Sequence, residues 1–232
     1  MATEIHALID EGAARLKRVA DDPRRESEIL LGAALGRSRG WLIAHRERRI
    51  LDCEATDRFE ASVTRRAHGE PIAYILGERE FWSLPLLVEP AVLIPRPETE
   101  LVVERALAHL PAGSAGTALD LATGSGAIAL AIASERPRCR VVGTDLSPDA
   151  VTLAVRNAAR LDLAHVEFRV GSWFDPVQHE RFDLIACNPP TSRTATRASR
   201  PGFFVTSPMP RCSQERRDWR RWPISWPARQ RT

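Results

Sequence analysis

Apolar residues recur at helical spacing from the start of the chain. Ile5, Leu8, Ile9, Leu16 and Val19 share one face of a first helix. Asp21-Asp22-Pro23 then supplies a cap and a first-turn proline to a second helix, which carries Ile29, Leu30, Leu31 and Leu35 and ends near Gly36. Trp41, Leu42 and Ile43 mark a short third segment. Residues 52–68 form a fourth, more polar helix that stops at Gly69. No strand pattern interrupts this stretch, so residues 1–70 read as a small all-helical domain. Residues 71–110 read as a linker with a hairpin over Phe81 to Val88 and a helix opened by Pro97-Glu98-Thr99-Glu100.

From Thr117 the pattern alternates between strand and helix. Ala118 to Leu121, Arg140 to Thr144, Val166 to Val170 and Phe182 to Cys187 are short strands. Ala127 to Ser134 and Val151 to Leu161 are the helices between the first three. Such alternation predicts a parallel sheet with helical crossovers. The fold class is therefore α/β, with four strands in residues 111–190. Beyond Pro190 the periodicity stops, and only Phe203-Phe204-Val205 has strand character.

Charge sharpens this division. Of the 232 residues, 33 are basic and 30 acidic, a net charge of +3. Residues 191–232 hold ten Arg against Glu215 and Asp218, a net of +8, and three tryptophans (Trp219, Trp222, Trp226) lie among those arginines. The first 190 residues carry −5. An acidic body is a poor match for a phosphate backbone, so no direct nucleic-acid binding is expected. No apolar run is long enough to span a membrane, and the N-terminus lacks a signal-peptide pattern. Cys53, Cys139, Cys187 and Cys212 are too scattered for a zinc site. A cytoplasmic protein with reduced thiols and no metal is the expectation.

Two segments carry chemistry. The first, Asp120-Leu121-Ala122-Thr123-Gly124-Ser125-Gly126-Ala127-Ile128-Ala129, follows a strand and opens a helix. Gly124, Gly126 and Ala129 fit G-x-G-x-x-G/A, and Asp145 ends the next strand, where a carboxylate takes ribose hydroxyls. An adenosine-bearing cofactor fits this arrangement, and a dinucleotide matches the same fingerprint. Asp120, just before the turn, would repel a pyrophosphate but suits a ligand with an ammonium and a sulfonium. That favours S-adenosylmethionine. The second segment is Asn188-Pro189-Pro190 after the fourth strand. Two prolines remove two N–H donors, leaving the Pro189 carbonyl and the Asn188 side chain to accept from a planar NH2 group.

With these segments the chain resembles the HemK/PrmC family of bacterial peptide chain release factor glutamine N(5)-methyltransferases. Glu70-Pro71-Ile72-Ala73-Tyr74-Ile75-Leu76-Gly77 and Leu93-Ile94-Pro95-Arg96-Pro97-Glu98-Thr99-Glu100 complete the resemblance. It implies a helical substrate-recognition domain beside a class I, Rossmann-like methyltransferase domain. It further implies that Ala122, Thr123, Gly124, Ser125 and Gly126 line the methionine part of S-adenosylmethionine, in the cofactor site to which Asp120 is assigned by its charge. Asp145 would hold the ribose and Trp173 would lie near the adenine. Asn188, Pro189 and Pro190 would bind the target glutamine amide, with Asn188 also bordering the cofactor. The partner would be a release factor, bound by a monomer. A ribosomal-protein glutamine methyltransferase, a DNA or RNA amino-methyltransferase and a non-catalytic binding module are the competing readings.

The resemblance breaks at Thr191, where the family has tyrosine. Residues 191–232 read as an Arg-rich irregular tail. Codons for Thr191-Ser192-Arg193-Thr194-Ala195-Thr196-Arg197, read one base earlier, allow Tyr-Ile-Ala-Asp-Gly-Asp-Pro. The expectation is a truncated chain, frame-shifted after Pro190, whose fourth strand is an exposed edge and which is poorly soluble or inactive.

Overall fold

The computed structural model describes residues 3–188 and the backbone of 204–206. Pro189, Pro190, the tryptophans among the arginines and the expected frame change lie outside the described residues. Contacts divide the chain into two units, one ending at Glu78 and one beginning at Arg79.

The first unit holds α1 (Ile5–Leu16), α2 (Pro23–Leu35), α3 (Arg39–Ala44), α4 (Cys53–Ala67) and α5 (Ile72–Leu76). Polar side chains start three of these helices. Asp22 accepts from the Arg25 N–H, Ser38 from Trp41 and Asp52 from Ala55. Gly36, at φ +62°, ends α2 in the left-handed conformation. Ile5, Leu8, Ile9, Leu16, Leu30, Leu31, Leu42, Phe59 and Val63 form one buried cluster. The all-helical expectation needs one correction. β1 (Thr3–Glu4) pairs antiparallel with β2 (Arg49–Ile50). Two residues per strand are too few to show an alternating pattern.

β3 (Glu78–Phe81), which starts at the unit boundary, and β4 (Leu84–Leu87) of the second unit form the expected hairpin. A single 3-10 turn, Pro97–Thr99, leads into α6 (Glu100–His109). Then follow β5 (Thr117–Leu121), α7 (Ala127–Glu135), β6 (Arg140–Asp145), α8 (Pro148–Arg160), β7 (Glu167–Val170), β8 (Leu184–Cys187) and β9 (Phe204–Thr206). The sheet order is β7-β6-β5-β8-β9. β5, β6, β7 and β8 run parallel, as expected. α7 is buried along its whole apolar length from Ala127 to Ala133.

β9 overturns the expected open edge. It lies antiparallel to β8, with Ile185 opposite Thr206 and Cys187 opposite Phe204. The sheet therefore has five strands where the sequence pattern gave four.

Candidate active site

In this sheet order the chain leaves β5 in one direction, toward β6, and returns on its other side as β8. The carboxyl ends of β5 and β8 thus flank the point where an open α/β sheet leaves a crevice. Asp120 pairs with Ala186 and Leu121 with Cys187. Asn188 follows immediately, beside Ala122 at the start of the glycine turn. The two segments that the sequence singled out, 68 residues apart at Asp120 and Asn188, meet here.

The turn is tightly determined. Ala122, Gly124 and Gly126 all have positive φ (58°, 57° and 83°). The Thr123 N–H donates to the Thr144 carbonyl at 3.0 Å, and the Gly126 N–H to the Thr123 carbonyl at 2.9 Å. At Gly126 a Cβ would come within 3.1–3.2 Å of Leu130, Phe168 and Ala154, so only glycine lets α7 pack here. At Gly124 a Cβ would meet nothing within 4 Å. Open space remains above that residue.

Asp120 is 1% exposed and turned into the loop. Its Oδ2 accepts from the Thr123 hydroxyl at 2.6 Å and the Ala129 N–H at 3.2 Å. Its Oδ1 is buried with no hydrogen-bond partner among the described residues. Burial raises the Asp120 pKa to about 7, against the two hydrogen bonds and with a small contribution from the Asp145 charge. Through these two bonds Asp120 braces the glycine turn from beneath.

Asp145, partly exposed, accepts from the Gly124 N–H through Oδ2 (2.9 Å) and from the Ser147 N–H through Oδ1 (3.0 Å). A carboxylate has about four lone-pair sites, so two remain for further donors. Trp173 is 42% exposed at φ 47°, and its carbonyl accepts from the Thr144 hydroxyl at 3.4 Å. That puts Trp173 at the carboxyl end of β6, beside Asp145. Asn188 donates from Nδ2 to the Thr99 hydroxyl oxygen at 3.0 Å. Cys187 is no nucleophile: burial and the Asp120 charge push its thiol up to about 12.

One residue escaped the sequence reading. Asn157 on α8 is wholly buried. Its Nδ2 donates to the Ser125 carbonyl (2.9 Å) and the Leu87 carbonyl (3.0 Å), and its Oδ1 accepts from the Leu87 N–H (2.7 Å). It ties the glycine turn to β4. Its one signal was a polar residue on the apolar face of Ala150, Val151, Leu153, Ala154 and Ala158.

A Rossmann-like methyltransferase domain preceded by a helical domain is the class that this fold and site define. Residues 7–77 match the family described as the PrmC N-terminal domain, and residues 112–204 match a methyltransferase domain family. The release factor glutamine methyltransferase of Escherichia coli (strain K12) is 49% identical over 75% of this chain and 62% of that protein. That of Aliivibrio fischeri is 48% identical over 82% and 67%, and that of Yersinia pestis 53% identical over 74% and 61%. The chain belongs to the release factor glutamine methyltransferase family. It spans about 62% of the length of the first of these relatives. Among solved structures, an RNA methyltransferase from Salinibacter ruber in complex with S-adenosyl-L-homocysteine aligns with 29% identity. That alignment covers 40% of this chain and 60% of that one at a TM-score of 0.35, too partial to bear on function.

Proposed function

We propose that the chain transfers a methyl group from S-adenosylmethionine to the side-chain amide nitrogen of the glutamine in the Gly-Gly-Gln motif of peptide chain release factors. The observation that carries this reading is the meeting of the glycine turn and Asn188 at the carboxyl ends of adjacent strands β5 and β8. One supplies an adenosine-cofactor cradle, the other a carboxamide that can grip an amide. No phosphate-binding patch is needed for a protein substrate, in keeping with the −5 charge of residues 1–190.

The residues present suit the cofactor on two counts. Space is open above Gly124. The unpartnered Asp120 Oδ1 belongs to a carboxyl whose pKa burial raises to about 7, and a cationic ligand beside it would favour its charged form. Ala122 to Gly126 would hold the methionine part, Asp145 the ribose hydroxyls, and Trp173 the adenine. When bound, the cofactor supplies an electrophilic methyl group. Asn188 Oδ1 accepts one hydrogen of the target amide, and the Pro189 carbonyl the other. Held by both hydrogens, the nitrogen cannot turn away, and its lone pair is directed at one point. Such positioning replaces a strong general base, because the proton leaves after the nitrogen has acquired its positive charge. We place this chemistry in the cytoplasm, with the chain as a monomer and the helical unit recognising the release factor.

The test is methyl incorporation from isotope-labelled S-adenosylmethionine into a release factor. The expected inactivity rested on an open β8 edge, which β9 covers, so transfer is expected, lost when the motif glutamine is replaced by alanine and lowered about 100-fold by Asn188→Ala. No transfer to the release factor, or transfer that survives loss of that glutamine, overturns the reading.

A further inference from the structure

The Leu93–Glu100 run has no role so far beyond opening α6. Its burial is uneven in an informative way. Arg96, Pro97 and Glu98 are exposed, and Leu93 is more than half exposed, while Thr99 is 4% exposed. The 3-10 turn over Pro97–Thr99 turns this one side chain inward; the Thr99 N–H closes it by donating to the Arg96 carbonyl at 3.0 Å. The inward hydroxyl oxygen then takes the Asn188 Nδ2 hydrogen at 3.0 Å, across 89 residues of sequence.

We propose that Thr99 is a positioning residue for Asn188, holding its carboxamide in a rotamer that reaches the target amide. This rests on the function proposed above. A free Asn188 side chain samples several rotamers, and few of them present the carboxamide to the target amide. The bond to Thr99 selects one of them, with Nδ2 on the hydroxyl oxygen and Oδ1 left for the substrate. A hydroxyl both donates and accepts, so this bond fixes where the carboxamide lies, while the substrate NH2, a pure donor, selects Oδ1 as the end that meets it. The 3-10 turn over Pro97–Thr99 anchors one partner and the end of β8 at Cys187 the other.

The experiment compares Thr99→Val, which keeps the shape and removes the hydroxyl, with Thr99→Ser, which keeps the hydroxyl, in the full chain. Methyl transfer to a release factor is expected to lose about tenfold in kcat in Thr99→Val, the scale of one hydrogen bond. S-adenosylhomocysteine affinity should stay within about twofold, since the bond touches Asn188 and not the glycine turn. Thr99→Ser should recover most of the rate. The second readout needs no activity. In 15N-labelled protein the Asn188 side-chain NH2 pair, assigned by its disappearance in Asn188→Asp, should move to free-asparagine shifts and exchange faster in Thr99→Val, and return in Thr99→Ser. A wild-type chain that transfers no methyl group defeats the function proposed above, while the NH2 resonances still decide this one. Unchanged Asn188 resonances in Thr99→Val, or equal rate losses in the Val and Ser variants, overturn it.

Discussion

A carboxyl group removed from water holds its proton tightly, and Asp120 shows what that means for a single residue. Its folded-state pKa of about 7 stands above the ordinary 3.8. Between those values the folded chain binds a proton that the unfolded chain has released. The associated stability is complete below pH 4 and is lost as pH rises through 7, by roughly 4 kcal/mol in all. Asp120→Asn is therefore expected to melt higher than the wild type at pH 8 and to flatten the fall in melting temperature between pH 4 and 8. Thermal unfolding across that range checks this, and parallel profiles in the two proteins would contradict it. At this scale the sequence was informative where a residue's position follows from local spacing. Asp120, Gly124, Gly126 and Asp145 are set by a strand, a turn and a helix start. It was silent where a partner is remote. Asn157 meets Leu87 across 70 residues and Asn188 meets Thr99 across 89, and no local pattern encodes either bond.

At the scale of elements, the helices were legible because their caps are written in the chain. Ser147 accepts from the Ala150 N–H at the start of α8, as Asp22, Ser38 and Asp52 do earlier. The hairpin was legible in outline and its turn was not. Trp82 and Ser83 adopt φ of 52° and 58° without glycine, and the Trp82 N–H is taken by Glu100 at 3.0 Å. A contact with a later helix holds a turn that local preference disfavours. Asn157 does the same for β4. Asn157→Ala leaves the Leu87 N–H and two carbonyls without their partner, and a loss of about 2–4 kcal/mol is expected in urea unfolding. Amide exchange at Leu87 should quicken in the same variant; unaltered protection there would show that β4 is held by something else. β9 was half visible, as Phe203-Phe204-Val205 in the sequence and Phe204–Thr206 in the sheet. What the sequence lacked was its partner: antiparallel pairing to β8 is a choice of edge, made by the whole sheet.

At the scale of the whole molecule, the sequence pattern drew a helical domain over residues 1–70, a linker over 71–110 and an α/β region after it, whereas contacts divide the chain at Glu78 and the linker's hairpin and helix pack into the second core. Of the buried clusters, one draws its members from Ile5 to Val63, and the other three draw theirs from Phe81 onward. A fragment of residues 1–78 is accordingly expected to show helical circular dichroism and to unfold cooperatively. A featureless chain in that experiment would mean that its core is borrowed. The charge division lies elsewhere, after residue 190, and composition alone would have drawn the boundary there. Periodicity was the better guide because it reports burial, whereas net charge reports only what solvent sees.

Two closed cores joined near Glu78 have an evolutionary reading. A gene cut at that codon separates the buried clusters without dividing any one of them. Recombination there can give the same glycine turn and carboxamide a different helical partner. Selection on what is recognised and selection on the chemistry then act on separately inheritable pieces.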